Sequence, residues 1–141
     1  MQLMNAYTCT ECGRCTSSCP ANITGKKLSP RKIMMDTRDR LEEVGRNIDA
    51  NKGIFVPDNK TLLNDYITPE ELWACTSCNA CVEECPVNIS PLSIIIDMRR
   101  YLVMEQSAAP MSLNAMMTNV ENNGAPWQYS QQDRLNWKNE N

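Results

Sequence analysis

The run Cys9-Thr-Glu-Cys12-Gly-Arg-Cys15-Thr-Ser-Ser-Cys19-Pro20 returns once, as Cys75-Thr-Ser-Cys78-Asn-Ala-Cys81-Val-Glu-Glu-Cys85-Pro86, and constrains the fold more than any other feature of the chain. All eight cysteines fall in these two runs, with the same x2, x2, x3 spacing and a proline after each last cysteine. A secreted disulfide scaffold would spread its cysteines over a smaller chain behind a signal peptide, and none of these traits is present. The pattern points to a reducing compartment and to metal.

Composition removes most other chemistries. The 141 residues suffice for one ordinary domain with a core of its own. Net charge is −3, which leaves neither a nucleic-acid footprint nor a polybasic membrane patch. Histidine is absent, and with it the commonest general base and the Rieske and haem-histidine ligand sets. Neither a Gly-rich phosphate loop nor a Gly-x-Ser-x-Gly elbow occurs. The apolar stretches at Ile94-Ile95-Ile96 and Tyr101-Leu102-Val103 are broken by Asp97, Arg99 and Arg100, far short of a membrane span.

Four thiolates in this run are the ligand pattern of proteins that hold two iron–sulfur clusters, so two [4Fe-4S] clusters are expected. On an α-helix the third cysteine of each run would swing well away from the first, so both runs are expected to be loops. The proline then turns the chain away from the cube. In two-cluster ferredoxins the fourth cysteine of each run ligates the other cluster. That predicts Cys9, Cys12, Cys15 and Cys85 on cluster 1, and Cys75, Cys78, Cys81 and Cys19 on cluster 2. With both oxidised clusters bound, the net charge becomes about −7. The alternative is a zinc-stabilised protein-interaction module, against which a third Cys-x2-Cys step and a Cys-Pro would be redundant. No catalytic residue is expected within the chain.

The repeat extends beyond the cysteines. Residues 2–8 read as a helix with Leu3, Met4 and Tyr7 on one face, and Thr68-Pro69 with Glu71 forms a capping box before the matching helix to Trp73. The first copy lacks that cap, which predicts that the natural chain continues upstream of Met1. Ser29-Pro30 and Ser90-Pro91 each open a longer helix. The first carries Ile33, Met34, Thr37, Leu41 and Val44 and stops at Gly45; the second carries Leu92, Ile95, Ile96, Arg99, Leu102 and Val103. Asn22-Ile23 aligns with Asn88-Ile89, so the halves differ by a five-residue loop before Ser29. Residues 46–61 read as a long, partly packed connection with Ile54-Phe55-Val56 as its apolar piece. Leu113, Met116, Met117 and Val120 make one face of a short helix ending at Asn122-Asn123-Gly124. The expectation is an all-α fold, with a two-[4Fe-4S] ferredoxin domain over 1–105 and a short helix and extended strap over 106–141.

Cations near the runs are Arg14, Lys26, Lys27, Arg99 and Arg100. Arg14, inside its loop, is the best candidate to tune a cluster, while Arg38, Arg40, Arg99 and Arg100 suit helix ends. Met34, Met35, Met98 and Met104 are expected in the core. Tyr7 and Trp73 suit packing beside a first cysteine.

Tyr7-Thr-Cys-Thr-Glu-Cys-Gly-Arg-Cys15, Leu72-Trp-Ala-Cys-Thr-Ser-Cys-Asn-Ala-Cys-Val-Glu-Glu-Cys-Pro-Val-Asn-Ile89 and Glu121-Asn-Asn-Gly-Ala-Pro-Trp127 resemble the Fe–S domain of heterodisulfide-reductase-like Fe–S oxidoreductases, over nearly the whole chain. More distantly, the chain is similar to iron–sulfur subunits of anaerobic glycerol-3-phosphate dehydrogenase, lactate-utilisation complexes and succinate dehydrogenase. Ala125 and Gln128 depart from the family's usual Asn-Pro-Trp-Gly. The resemblance implies the α-helical ferredoxin fold and electron transport between a cytochrome b, quinone or flavin donor and a Cys-Cys-Gly module. It also implies a cytoplasmic place, at the inner membrane face when a membrane cytochrome b-like domain is attached. No Cys-Cys pair occurs in the chain.

Overall fold

In the computed structural model, which describes residues 1–139, Ser29 and Ser90 open matching helices. Their hydroxyls accept the N–H groups of Lys32 at 3.3 Å and Ser93 at 3.2 Å, with a proline in each first turn. Among the described residues eight α-helices follow in order: α1 (Gln2–Thr8), α2 (Arg14–Ser17), α3 (Pro20–Ile23), α4 (Pro30–Ala50), α5 (Pro69–Trp73), α6 (Ala80–Glu83), α7 (Pro91–Arg100) and α8 (Met111–Asn123). The same residues include no strand, only an isolated bridge between Leu63 and Ile67. The fold is all-α. Positions 140 and 141 of the expected strap lie outside the described residues.

The chain divides into two compact units, residues 1–101 and the part from Leu102 onward. In the first, α4 packs against α1, α2 and α7, and α5 against α7. Its core pairs repeat-related residues: Ile33 with Ile94, Met34 with Ile95, Pro30 with Pro91 and Ala6 with Leu72, all buried. Apolar burial of each large member is worth roughly 1.5–3 kcal/mol. Thr68 and Glu71 form the expected capping box, and Glu71 also takes Lys32 Nζ at 2.8 Å. Arg40, buried on α4, holds the connection by donating to both Asp58 carboxylate oxygens, at 2.5 and 2.9 Å, and to the Lys60 carbonyl at 2.7 Å.

Several expectations are corrected. On α1 the buried residue is Ala6, whereas Leu3, Met4 and Tyr7 are exposed, because close approach to α4 favours the small side. Helix α4 runs through Gly45, an open position where a helical glycine costs only about 1 kcal/mol. It ends instead at Asn51, with Gly53 at φ 90° returning its N–H to the Ile48 carbonyl at 2.9 Å. On α7 the buried face is Ile94 and Ile95 rather than Leu92 and Ile96; the helix runs on into a π-helical turn, Tyr101–Glu105, where Leu102 is buried as expected. Ile23 is exposed, and Leu28 fills the place that Ile89 occupies in the other half. The cause is α3, which begins at Pro20 and uses Asn22 Nδ2 to bond the Leu28 carbonyl at 2.9 Å. Ile54, Phe55 and Val56 are exposed, and so is Met104, whereas Met35 and Met98 are half-buried.

In the second unit, α8 stops at Gly124, whose φ of 62° admits glycine most readily. A Cβ there would meet Gln131 Nε2 at 3.2 Å, and Arg134 Nη2 donates to the Asn123 carbonyl at 2.9 Å. Gln131–Lys138 wind into a 3-10 helix, with Trp127, Tyr129 and Trp137 exposed.

Candidate metal centre

Each cysteine run begins where a lead-in helix ends, at Cys9 after α1 and at Cys75 just past α5. The backbone then turns left-handed on both sides of the middle cysteine: Glu11 (φ 57°) and Gly13 (φ 80°) flank Cys12, and Ser77 (φ 56°) and Asn79 (φ 67°) flank Cys78. Glycine and asparagine tolerate that region, but Glu11 and Ser77 store strain of roughly 1–2 kcal/mol each. Strain of this kind collects where a loop must aim its groups at a ligand. The third cysteine of each run does not sit in a loop, as expected, but on a single helical turn, Cys15 on α2 and Cys81 on α6. The left-handed residues resolve the difficulty foreseen for a helix: they redirect the chain before the turn starts, so Cys9, Cys12 and Cys15 line one pocket.

Hydrogen bonds repeat across the halves. The Arg14 N–H draws the Cys12 thiol below its ordinary pKa, helped by the Thr10 hydroxyl; the Ala80 N–H and the Thr76 hydroxyl do the same for Cys78. Ser77 N–H donates to Cys75 Sγ at 3.4 Å. Successive N–H groups in such turns form an anion-binding concavity suited to iron–sulfur groups. Burial acts oppositely on the third cysteines, raising Cys15 and pushing Cys81 up to about 11, with neighbouring thiolates adding to the rise. Cys15 feels Cys9 and Cys12, while Cys81 feels Cys75, Cys78 and Cys19 together with Cys15.

Cys9, Cys12 and Cys15 line one pocket with Cys81 and Cys85, against an apolar wall that includes Met34, Val87 and Ile89. All eight cysteines are free thiols. Among the described residues no three Cys, Asp or Glu side chains gather closely enough to hold a single metal ion; the thiols stand apart around the pocket instead. Soft sulfur donors, inward N–H groups and a dry wall fit an anionic iron–sulfur group.

The cations arrange differently from expectation. Arg14 is exposed and reaches Cys12 chiefly through its backbone. Lys27 pairs with Glu70 at 2.5 Å and Arg100 with Asp97 at 3.0 Å, both on the surface. Arg99 lies over Trp73, 4.9 Å from the ring centroid, and donates to the Leu72 and Cys75 carbonyls. The pocket also holds two residues that the cysteine spacing does not single out, Glu11 and Arg31. Arg38 Nη2 meets Glu11 at 2.5 Å and Arg31 Nη2 meets it at 3.4 Å. Their signal lies in the mismatches of the repeat, where Glu11 faces Ser77 and Arg31 faces Leu92.

The model of the 4Fe-4S dicluster domain matches residues 8–89, a span containing both runs. The chain belongs to this family. The dicluster domain binds two [4Fe-4S] clusters, in keeping with its eight cysteines. It is 36% identical, over 99% of its length, to the probable iron-sulfur-binding oxidoreductase FadF of Bacillus subtilis, of which it covers 24%. It is 33% identical over 98% of its length to EtfAB:quinone oxidoreductase of Syntrophomonas wolfei, covering 22% of that protein. One subunit of the ferredoxin/F(420)H(2)-dependent CoB-CoM heterodisulfide reductase from Methanosarcina acetivorans is 32% identical over 76% of the chain, which covers 52% of it. The dicluster domain thus spans about a quarter of the first two relatives and half of the third.

Proposed function

We propose that this dicluster domain is an electron relay within a larger oxidoreductase, passing single electrons between a quinone-linked cytochrome b or flavin donor and a partner bearing Cys-Cys-Gly motifs. The observation that carries the reading is the pocket where cysteines of both runs meet. We assign Cys9, Cys12, Cys15 and Cys85 to one cluster and Cys75, Cys78, Cys81 and Cys19 to the other. The first set is supported by the pocket that its four cysteines line together with Cys81, the second by the same pairing carried across the repeat. The packing of α2, which carries Cys15, against α6, which carries Cys81, supports neighbouring sets.

A bound [4Fe-4S] cluster supplies a one-electron couple. The chain's own residues hold the thiolates, direct the N–H groups of Arg14, Ser77 and Ala80 toward sulfur, and keep water off with Met34, Val87 and Ile89. Glu11, the carboxylate on the pocket, is held by two arginines and is not a base for bond chemistry. The relatives named for quinone, heterodisulfide and iron–sulfur oxidoreductases support this role. No helix among the described residues is long and apolar enough to cross a membrane, so a place at the inner membrane face would come through a neighbouring domain or subunit. A relative named as a probable membrane-anchored ferredoxin, from Chromohalobacter salexigens, supports that place.

Anaerobic purification followed by visible spectroscopy tests the relay. A broad violet absorption bleached by dithionite, with iron and acid-labile sulfide in equal amounts, is expected. A colourless protein with stoichiometric zinc would overturn the reading.

A further inference from the structure

We propose that Arg31 raises the reduction potential of the cluster held by the first cysteine run. The proposal rests on the ligand assignment above. Arg31 lines the pocket with Cys9, Cys12, Cys15 and Cys85. Its backbone N–H bonds the Thr16 hydroxyl at 3.2 Å, which fixes the start of α4 beside the helical turn that carries Cys15. Its side chain is 42% exposed, yet its Nε is buried and has no hydrogen-bond partner. A buried donor left unpaired is uncommon and needs an acceptor, and an anionic, sulfur-rich group supplies one.

The nearby carboxylate does not cancel this charge. Glu11 is reached by Arg38 at 2.5 Å and by Arg31 only at 3.4 Å, so Arg38 is its main counter-ion. Taking up one electron from the donor adds one negative charge at the site and makes or breaks no bond, so a fixed cation on the wall favours the reduced state. The effect is one-sided. The matching position in the second half is Leu92, and Arg99, the counterpart of Arg38, uses its donors on the Leu72 and Cys75 carbonyls.

The test is an anaerobic redox titration of the cluster-loaded protein, followed by electron paramagnetic resonance. Cys12→Ser marks which signal and potential belong to the first run, since Cys12 belongs there however the fourth ligands are shared. Arg31→Leu, which installs the residue of the other half, is expected to lower that potential and leave the second unchanged; Arg31→Lys retains part of the effect. Unchanged potentials, or equal shifts in both, overturn the proposal. If Arg31→Leu loads poorly, Glu11→Gln decides: an upward shift of the first potential alone supports a charge-sensitive wall, and its absence refutes it. Failure of the ligand assignment is a separate result, seen when Cys85→Ser disturbs the signal that Cys12→Ser leaves intact.

Discussion

Cys85 lines the same pocket as Cys9, although the two cysteines belong to different runs. The helical turns that carry the third cysteines, α2 and α6, pack against each other, so the halves meet at their sulfur-bearing segments. Under the proposed ligand assignment, each half depends on the other for a complete set of ligands.

Cys85→Ser is therefore expected to degrade the same cluster signal as Cys12→Ser, and Cys19→Ser the same signal as Cys78→Ser. Resonance spectra of the four variants check this pairing. A pattern in which Cys85→Ser tracks Cys78→Ser would show that each run keeps its own fourth ligand.

Thr68 caps α5 through the Glu71 N–H, while the Glu71 carboxylate returns to the Thr68 N–H at 2.8 Å. Thr68→Ala should cost about 1 kcal/mol, read as a lower urea midpoint of the loaded protein. Because α5 delivers Cys75, the second cluster should also be lost first on dilution into chelator.

Ala6 and Leu72 occupy matching buried positions but differ in size. Leu72→Ala should destabilise by roughly 2–5 kcal/mol through the cavity it opens. Ala6→Leu should instead cost about 1–3 kcal/mol by overpacking against α4. Urea titrations of both variants separate the two: a neutral Ala6→Leu would mean that α1 sits more loosely than its burial indicates.

Arg40 holds the Asp58 carboxyl well below the ordinary aspartate value of 3.8. With its folded-state pKa depressed, Asp58 contributes stability at all pH values above that ordinary value, and the contribution fades as the pH falls toward the lowered one. Asp58→Asn should thus lower the urea midpoint at pH 7, and the gap to wild type should narrow below about pH 4. A gap that is constant with pH would sever the link to this ion pair.

The repeat, the serine and threonine caps and the all-α class are legible in the sequence because capping is a contact between near neighbours along the chain. Burial is less so. Hydrophobicity ranks large side chains first and so points to Leu3 and Met4, while close helix packing selects the small Ala6. Gly45 resembles a stop, yet a glycine ends a helix only when the chain beyond it leaves the helical region, which here happens at Asn51 and Gly53. Aligning Ile23 with Ile89 fails because α3 and the loop after it shift the burial to Leu28. At the site, the eight cysteines are evident from spacing, but Glu11 and Arg31 read as ordinary surface charges until the fold brings them to the pocket.

The sequence by itself determined the ligand chemistry: eight thiols in two identically spaced runs, each led by a helix and followed by a capped one, all set by spacing along the covalent chain. Only the tertiary structure decided which thiols share a pocket, which helix faces are buried, and that Arg31 stands on the pocket wall. Local rules reach three or four residues along a helix, whereas these outcomes depend on how segments far apart in the chain pack across the pseudo-symmetric interface.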